Sequence, residues 1–130
     1  MVFDPNREKL TEQAQSALRT SQELVVQKRQ NQWDAEHLLF GLLKVEDSLA
    51  TKILEELNID VDRLVNALEQ KIDEFPQVGG NMGQVQMFMT PRIGAILEVA
   101  KQEATRLRDE LIGADHLLVA TTKNADGVIA

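Results

Sequence analysis

The sequence predicts an all-α domain built as a tandem, pseudo-two-fold repeat of one helical unit, with the second repeat truncated. Three observations carry this expectation. Leu, Ala, Gln, Glu and Lys dominate the composition, aromatic residues make up only 4%, and stretches suited to strands are scarce, a balance that favours helices. Apolar residues recur three and four positions apart through most of the chain, the spacing of one helix face. And Ala35-Glu36-His37-Leu38-Leu39 returns in the second half as Ala114-Asp115-His116-Leu117-Leu118.

The first helix is carried by Leu10, Ala14, Ala17, Leu18, Ser21 and Val25, with Thr11 as the capping residue whose hydroxyl takes an otherwise unpaired backbone N–H. The polar run Lys28-Arg29-Gln30-Asn31 ends it. A second helix starts near Asp34 and shows His37, Leu38, Gly41 and Leu42 on one face. Leu39 and Leu43 widen that face, so this helix should be largely buried. A third runs from about Ser48 to Leu57 with Leu49, Ile53, Leu54 and Leu57 inward. Asp60 caps a fourth, with Val61, Leu64, Val65 and Leu68 in register, and it ends before Phe75-Pro76 because the residue preceding a proline avoids helical backbone angles. Gly79, Gly80 and Gly83 mark a linker. Thr90-Pro91 then opens a new helix, with Thr as cap and Pro in the first helical position. Ile93, Ile96, Leu97, Ala100, Ala104 and Leu107 line its apolar face, and a last helix begins near Gly113. Asp4-Pro5 reads as a turn or helix start.

Extending the offset from His37 to His116 without gaps pairs Thr11 with Thr90, Leu18 with Leu97, Arg29 with Arg108, Lys44 with Lys123 and Asp47 with Asp126. Nine of the 41 pairs from Thr11 to Thr51 are identical, where composition alone would give roughly two or three. The whole chain is therefore read as one domain, with repeat one at 10–74, a linker at 75–89 and repeat two at 90–130. One unit cannot hide its own apolar face, so the two should pack together and leave a groove or paired sites along their seam. Repeat two stops short of counterparts to the third and fourth helices, so either the chain is a fragment of a longer one, the favoured expectation, or those two helices are lost.

The formal net charge of −7 argues against a nucleic-acid backbone or an anionic membrane surface as partner. It suits both solubility and cationic or unfolded polypeptide partners. With no cysteine, disulfides, zinc–thiolate sites and thiol nucleophiles are excluded, and a cytoplasmic setting is the natural reading. The apolar run from 38 to 43 is far too short for a membrane span. The Gly79-Gly80-Asn81-Met82-Gly83 stretch lacks the Lys-Ser/Thr of a phosphate loop. No metal, catalytic or nucleophile–base pattern is present, so the chain itself is not read as an enzyme. His37 and His116 read as one structural role used twice, each bonded to backbone or a neighbouring side chain. Glu36 and Asp115 fall in the first turn of their helices, where the helix dipole favours negative charge. They serve as capping electrostatics or as contacts for a cationic group on a bound peptide. Trp33 and Phe40 read as core. Met82, Met87 and Met89, with Phe88, either pack against the seam or offer an adaptable peptide contact.

These residues carry a resemblance. Leu10-Thr11-Glu12 with Ala14 and Leu18, then Ala35-Glu36-His37-Leu38-Leu39-Phe40-Gly41-Leu42-Leu43, and in the second half Thr90-Pro91-Arg92, Glu103-Ala104, Asp109-Glu110 and Ile112-Gly113-Ala114-Asp115-His116-Leu117-Leu118, together resemble the N-terminal double-repeat domain of the Clp ATPases. The linker Phe75-Pro76-Gln77-Val78-Gly79 is most like that of the ClpB disaggregase branch. The sequence departs from the family in carrying Ala35 and Ala114 before the acidic residues, Asp115 in place of Glu, and Thr121-Thr122 in place of an apolar pair.

The resemblance implies a chaperone domain, mobile on a homohexameric AAA ATPase ring. It docks unfolded or aggregated polypeptide for threading, as in stress-response disaggregation. ATP would be the cofactor of other domains and none is implied for this chain. It also implies substrate-binding roles for Thr11, Glu36, Leu97, Val99, Asp109 and Asp115. Glu36 and Asp115 match acidic positions that bind phosphoarginine-type marks in the ClpC branch. The alternatives are an adaptor- or substrate-docking domain of a ClpC- or ClpA-type ATPase that partners a protease, and a stand-alone Clp-repeat regulator. An isolated domain is expected to be monomeric, because pairing of the repeats should leave no exposed apolar stripe.

Overall fold

The computed structural model describes residues 8–78 and 86–123, together with 125, 127, 129 and 130. The Asp4-Pro5 turn, Met82, the glycines of the linker and the pairing partner Asp126 lie outside the described residues. Among the described residues the elements run α1 (Glu12–Gln27), β1 (Gln32–Trp33), α2 (Ala35–Lys44), α3 (Leu49–Glu56), α4 (Val61–Asp73), β2 (Phe88–Met89), α5 (Pro91–Arg106) and α6 (Ala114–Lys123). The chain is all-α apart from short parallel backbone pairings.

Side-chain caps set the starts of α1 to α5. Thr11 Oγ1 accepts from the Ala14 N–H, Ser48 from Thr51, Asp60 from Arg63 and Thr90 from Ile93, and each satisfies a donor that the first turn leaves unpaired. Asp34 caps α2 in a reciprocal arrangement: its carboxylate accepts from the Ala35 N–H, and its own N–H donates to His37 Nδ1. α1 and α5 end alike. Arg29 and Arg108, equivalent under the repeat, both take a left-handed φ, 58° and 59°, and turn the chain sharply.

The core gathers the inner faces of α1, α2, α5 and α6, with Leu54 and Leu68 from α3 and α4. Gly41 explains how closely α1 and α2 approach. A Cβ there would stand 2.5 Å from the Ala17 carbonyl oxygen and 3.1 Å from the Ser21 nitrogen, so only a residue without a side chain lets the two backbones touch. Three expectations about apolar residues need correction. Leu107, expected on the apolar face of α5, is its C-cap residue and is exposed, since the face has turned away from the core at the helix end. On α3 the inward residues are Ala50 and Leu54, with Ile53 half-buried, while Leu49 and Leu57 are exposed. Pairing of the repeats also leaves apolar surface uncovered, because Val26, Phe88 and Met89 are exposed, while Met87 packs on the core.

The tandem repeat is visible atom by atom. β1 pairs in parallel with β2, Gln32 opposite Phe88 and Trp33 opposite Met89, and a separate parallel bridge joins Leu10 to Ile112. The repeat offset exchanges these pairings: Leu10 maps onto Met89, and Trp33 onto Ile112. The flanking bonds exchange too, Thr11 N–H to the Ile112 carbonyl at 3.0 Å and Thr90 N–H to the Trp33 carbonyl at 3.1 Å. Each repeat thus lends the segment before its long helix to the segment before the other repeat's second helix. That crossing pair is the seam. Phe88–Met89, read in sequence as linker, is a strand of it.

Candidate functional site

The start of α6 opens onto the seam. Gly113 precedes the helix, and its N–H donates to His116 Nδ1 at 2.7 Å. Because Nδ1 accepts there, the neutral imidazole carries its proton on Nε2, which donates to Asp109 Oδ2 at 2.8 Å. His37 repeats the pattern: Nδ1 accepts from Asp34 N–H and Nε2 faces Gln30 Oε1 at 2.8 Å. Gln30 and Asp109 are themselves equivalent positions of the two repeats. In both copies both ring nitrogens are hydrogen-bonded within the chain, one to a backbone N–H and one to a side chain. Burial pushes the His37 pKa from 6.5 down to about 4, against the raising pull of the Asp34 charge and backbone bond.

A cleft of about 390 Å³ lies between the starts of α1 and α6 and the corner joining α2 to α3. Thr11, Glu12 and Gln13 form one wall and Gly113, Ala114 and Asp115 the other, while Asp47, Leu49 and Lys52 close the corner. A neighbouring hollow shares Thr11, Gly113 and Asp115 and continues along Asp109, Glu110, Leu111 and His116. Among the charged lining residues carboxylates outnumber cations, Glu12, Asp47 and Asp115 beside Lys52 in the cleft and Asp109, Glu110 and Asp115 in the hollow. Leu49 and Leu111 supply exposed apolar surface. Gly113 leaves the space that Asp115 uses, since a Cβ there would stand 2.5 Å from Asp115 Oδ1. Among the described residues no group of three or more His, Cys, Asp or Glu is gathered for a metal ion. The arrangement can hold a polar or cationic chain segment by charge-assisted hydrogen bonds and apolar contact.

The sequence-predicted site residues divide into two groups. Thr11, Asp109 and Asp115 converge on this cleft and its neighbour. Glu36, Leu97 and Val99 do not. Leu97 has no exposed surface and sits in the core, and Val99 packs half-buried against it, so the apolar face read from the spacing is the core face, and the binding role that the family resemblance implied for the two residues does not bring them to this cleft. Glu36 is buried, with both carboxylate oxygens held by Arg92 Nη1 at 3.0 and 3.1 Å. The corner residues Gln13, Asp47, Leu49 and Lys52 were not singled out from the sequence. Asp47 has a left-handed φ of 53°, and a corner of this kind has no periodicity to betray it.

The Clp repeat (R) N-terminal domain family matches residues 9–130. The chaperone protein ClpB of Bacillus anthracis is 32% identical over 115 residues, covering 88% of this chain and 13% of the relative. The Clp protease ATP-binding subunit ClpC of Staphylococcus aureus strain USA300 is 31% identical over 122 residues, covering 94% of this chain and 14% of the relative. The chain thus spans about a seventh of the length of these curated relatives, and the two identities do not separate the branches. Among solved structures, the Hsp104 N-terminal domain from Candida albicans superposes with a TM-score of 0.79 at 16% identity, over 90% of this chain and 75% of that one, a likeness of fold. With a family match across nearly its whole length, the chain belongs to the Clp repeat N-terminal domains.

Proposed function

We propose that this domain docks unfolded or aggregated polypeptide for an ATP-dependent Clp ring, with ATP hydrolysis and threading performed by other domains of a homohexameric, cytoplasmic parent. The observation that carries the reading is the cleft between the starts of α1 and α6. It carries carboxylates beside exposed Leu49 and Leu111. Such a surface suits extended segments that mix basic and apolar residues. It is open and partly polar, so binding should be weak, which lets a ring pull the segment away. Membership of the Clp repeat family supports the same role.

A second reading, docking of an adaptor protein for a Clp protease partner, is favoured by one observation: the ClpC relative is as similar as the ClpB relative.

Asp115→Asn keeps the shape of the cleft and removes one charge. Fluorescence anisotropy with a labelled, permanently unfolded polypeptide at low salt should show affinity falling by about tenfold, the scale of one charge-assisted hydrogen bond. Unchanged affinity would take Asp115 out of the docking site. Binding of a folded adaptor but of no unfolded chain would favour the second reading.

A further inference from the structure

Each repeat places a carboxylate in the first turn of its second helix, Glu36 in α2 and Asp115 in α6. Each lies across from the start of the other repeat's long helix. The two surroundings differ at two equivalent positions. Opposite Glu36 stands Arg92, whose Nη1 reaches both carboxylate oxygens. Its counterpart in repeat one is Gln13, which is engaged elsewhere: its amide donates to the Asp47 carbonyl at 2.7 Å and accepts from the Leu49 N–H at 2.9 Å. At the head of α2 stands Asp34, which accepts from the Thr90 hydroxyl at 2.9 Å. Its counterpart is Gly113, with no side chain to reach Thr11. The consequence is plain in exposure, since the Glu36 side chain is 3% accessible and that of Asp115 48%.

We infer that Arg92 sets the number of docking sites. Its guanidinium fills the repeat-one counterpart of the cleft from within the chain and leaves the domain one open site, at Asp115. Guanidinium suits this role because it stays charged and presents a planar set of donors to a carboxylate. Gln13 cannot do the same at Asp115, because its amide is uncharged and already bonded to the α2–α3 corner. The docking role rests on the function proposed above, but the closure of one carboxylate by Arg92 stands independently of any ligand.

The test labels carboxylates of the whole chain with a carbodiimide and glycine ethyl ester, located by peptide mass spectrometry. In the native chain Glu36 should react on the order of tenfold more slowly than Asp115, since reactivity follows local exposure. Gln13→Arg should move the closure to the other repeat, slowing Asp115 toward the rate of Glu36 and weakening binding of a permanently unfolded polypeptide. Arg92→Gln should raise Glu36 toward the rate of Asp115 and change polypeptide stoichiometry from one to two. If circular dichroism shows that Arg92→Gln has unfolded, Gln13→Arg decides alone. Equal labelling of Glu36 and Asp115 in the native chain overturns the inference, as does a Gln13→Arg protein whose Asp115 stays fully reactive. If labelling follows expectation while no variant binds polypeptide, the docking role fails and the closure by Arg92 holds.

Discussion

Trp33→Ala should lower the unfolding free energy by about 3–5 kcal/mol, the cost of removing a large aromatic side chain from a packed core. Urea denaturation of both proteins at pH 7 measures it. Trp33 is 2% exposed and is the largest of the fully buried side chains. Its indole N–H donates to Ser21 Oγ at 2.9 Å, and that hydroxyl in turn donates to the Leu18 carbonyl at 2.7 Å. Truncation therefore opens a cavity between α1 and the seam and leaves a buried hydroxyl with one partner fewer. The same residue's backbone receives Thr90 and pairs with Met89, so both repeats should loosen together. Domains of this size are stable by only about 5–15 kcal/mol, and the loss would be a large share of the total. A loss under about 1 kcal/mol would show that the seam does not depend on this packing.

Acid should destabilise the domain through His37 before most carboxylates protonate. The imidazole is fully buried, tilted against the Phe75 ring at 5.4 Å between centroids, and its pKa is lowered to about 4 by that burial. In the unfolded chain the same group binds a proton near pH 6.5. Between those values the unfolded state holds the extra proton, so stability rises with pH. The contribution is complete above about pH 6.5 and is lost as the pH falls toward 4. A depression of that size corresponds to about 3 kcal/mol. Glu103 adds a loss at lower pH: bonded first to Lys123 and then to Arg106, its carboxyl is held at about 2, so its contribution is present above its ordinary value and disappears as the pH falls through that range. Comparing the native chain with His37→Gln by urea denaturation from pH 7 to 4.5 isolates the histidine. The variant should lose much of the slope between pH 6.5 and 4.5, and an unchanged slope would contradict the assignment.

What the sequence disclosed and what it hid follow from the range of the interactions involved. The repeat offset was legible because local chemistry is repeated in it. Thr11 and Thr90 cap, Arg29 and Arg108 turn, and His37 and His116 accept from the backbone N–H three residues before them. Every one of these contacts is short in sequence. The pairing of β1 with β2 was not legible, because strands of two residues have no alternation to read. Helical spacing also misled where two faces compete. On α3 the interior takes small Ala50 rather than Leu49; on α5 the spacing put Leu97 on the apolar face, where it lies, and only the family resemblance gave it a binding role. Glu36 looked equivalent to Asp115 because their neighbours match. Arg92, 56 residues away, changes its fate, and no local pattern records such a partner.

The most direct test of the open seam cleft as the docking site is a titration of the isotope-labelled chain with a permanently unfolded polypeptide, followed by backbone amide shifts. Perturbations should gather at Thr11, Leu49, Lys52, Gly113 and Asp115, and leave Ala35, Glu36 and Thr90 at the closed counterpart nearly still. Shifts centred instead on Glu36 and Thr90, or on the exposed Val26, Phe88 and Met89, would contradict it.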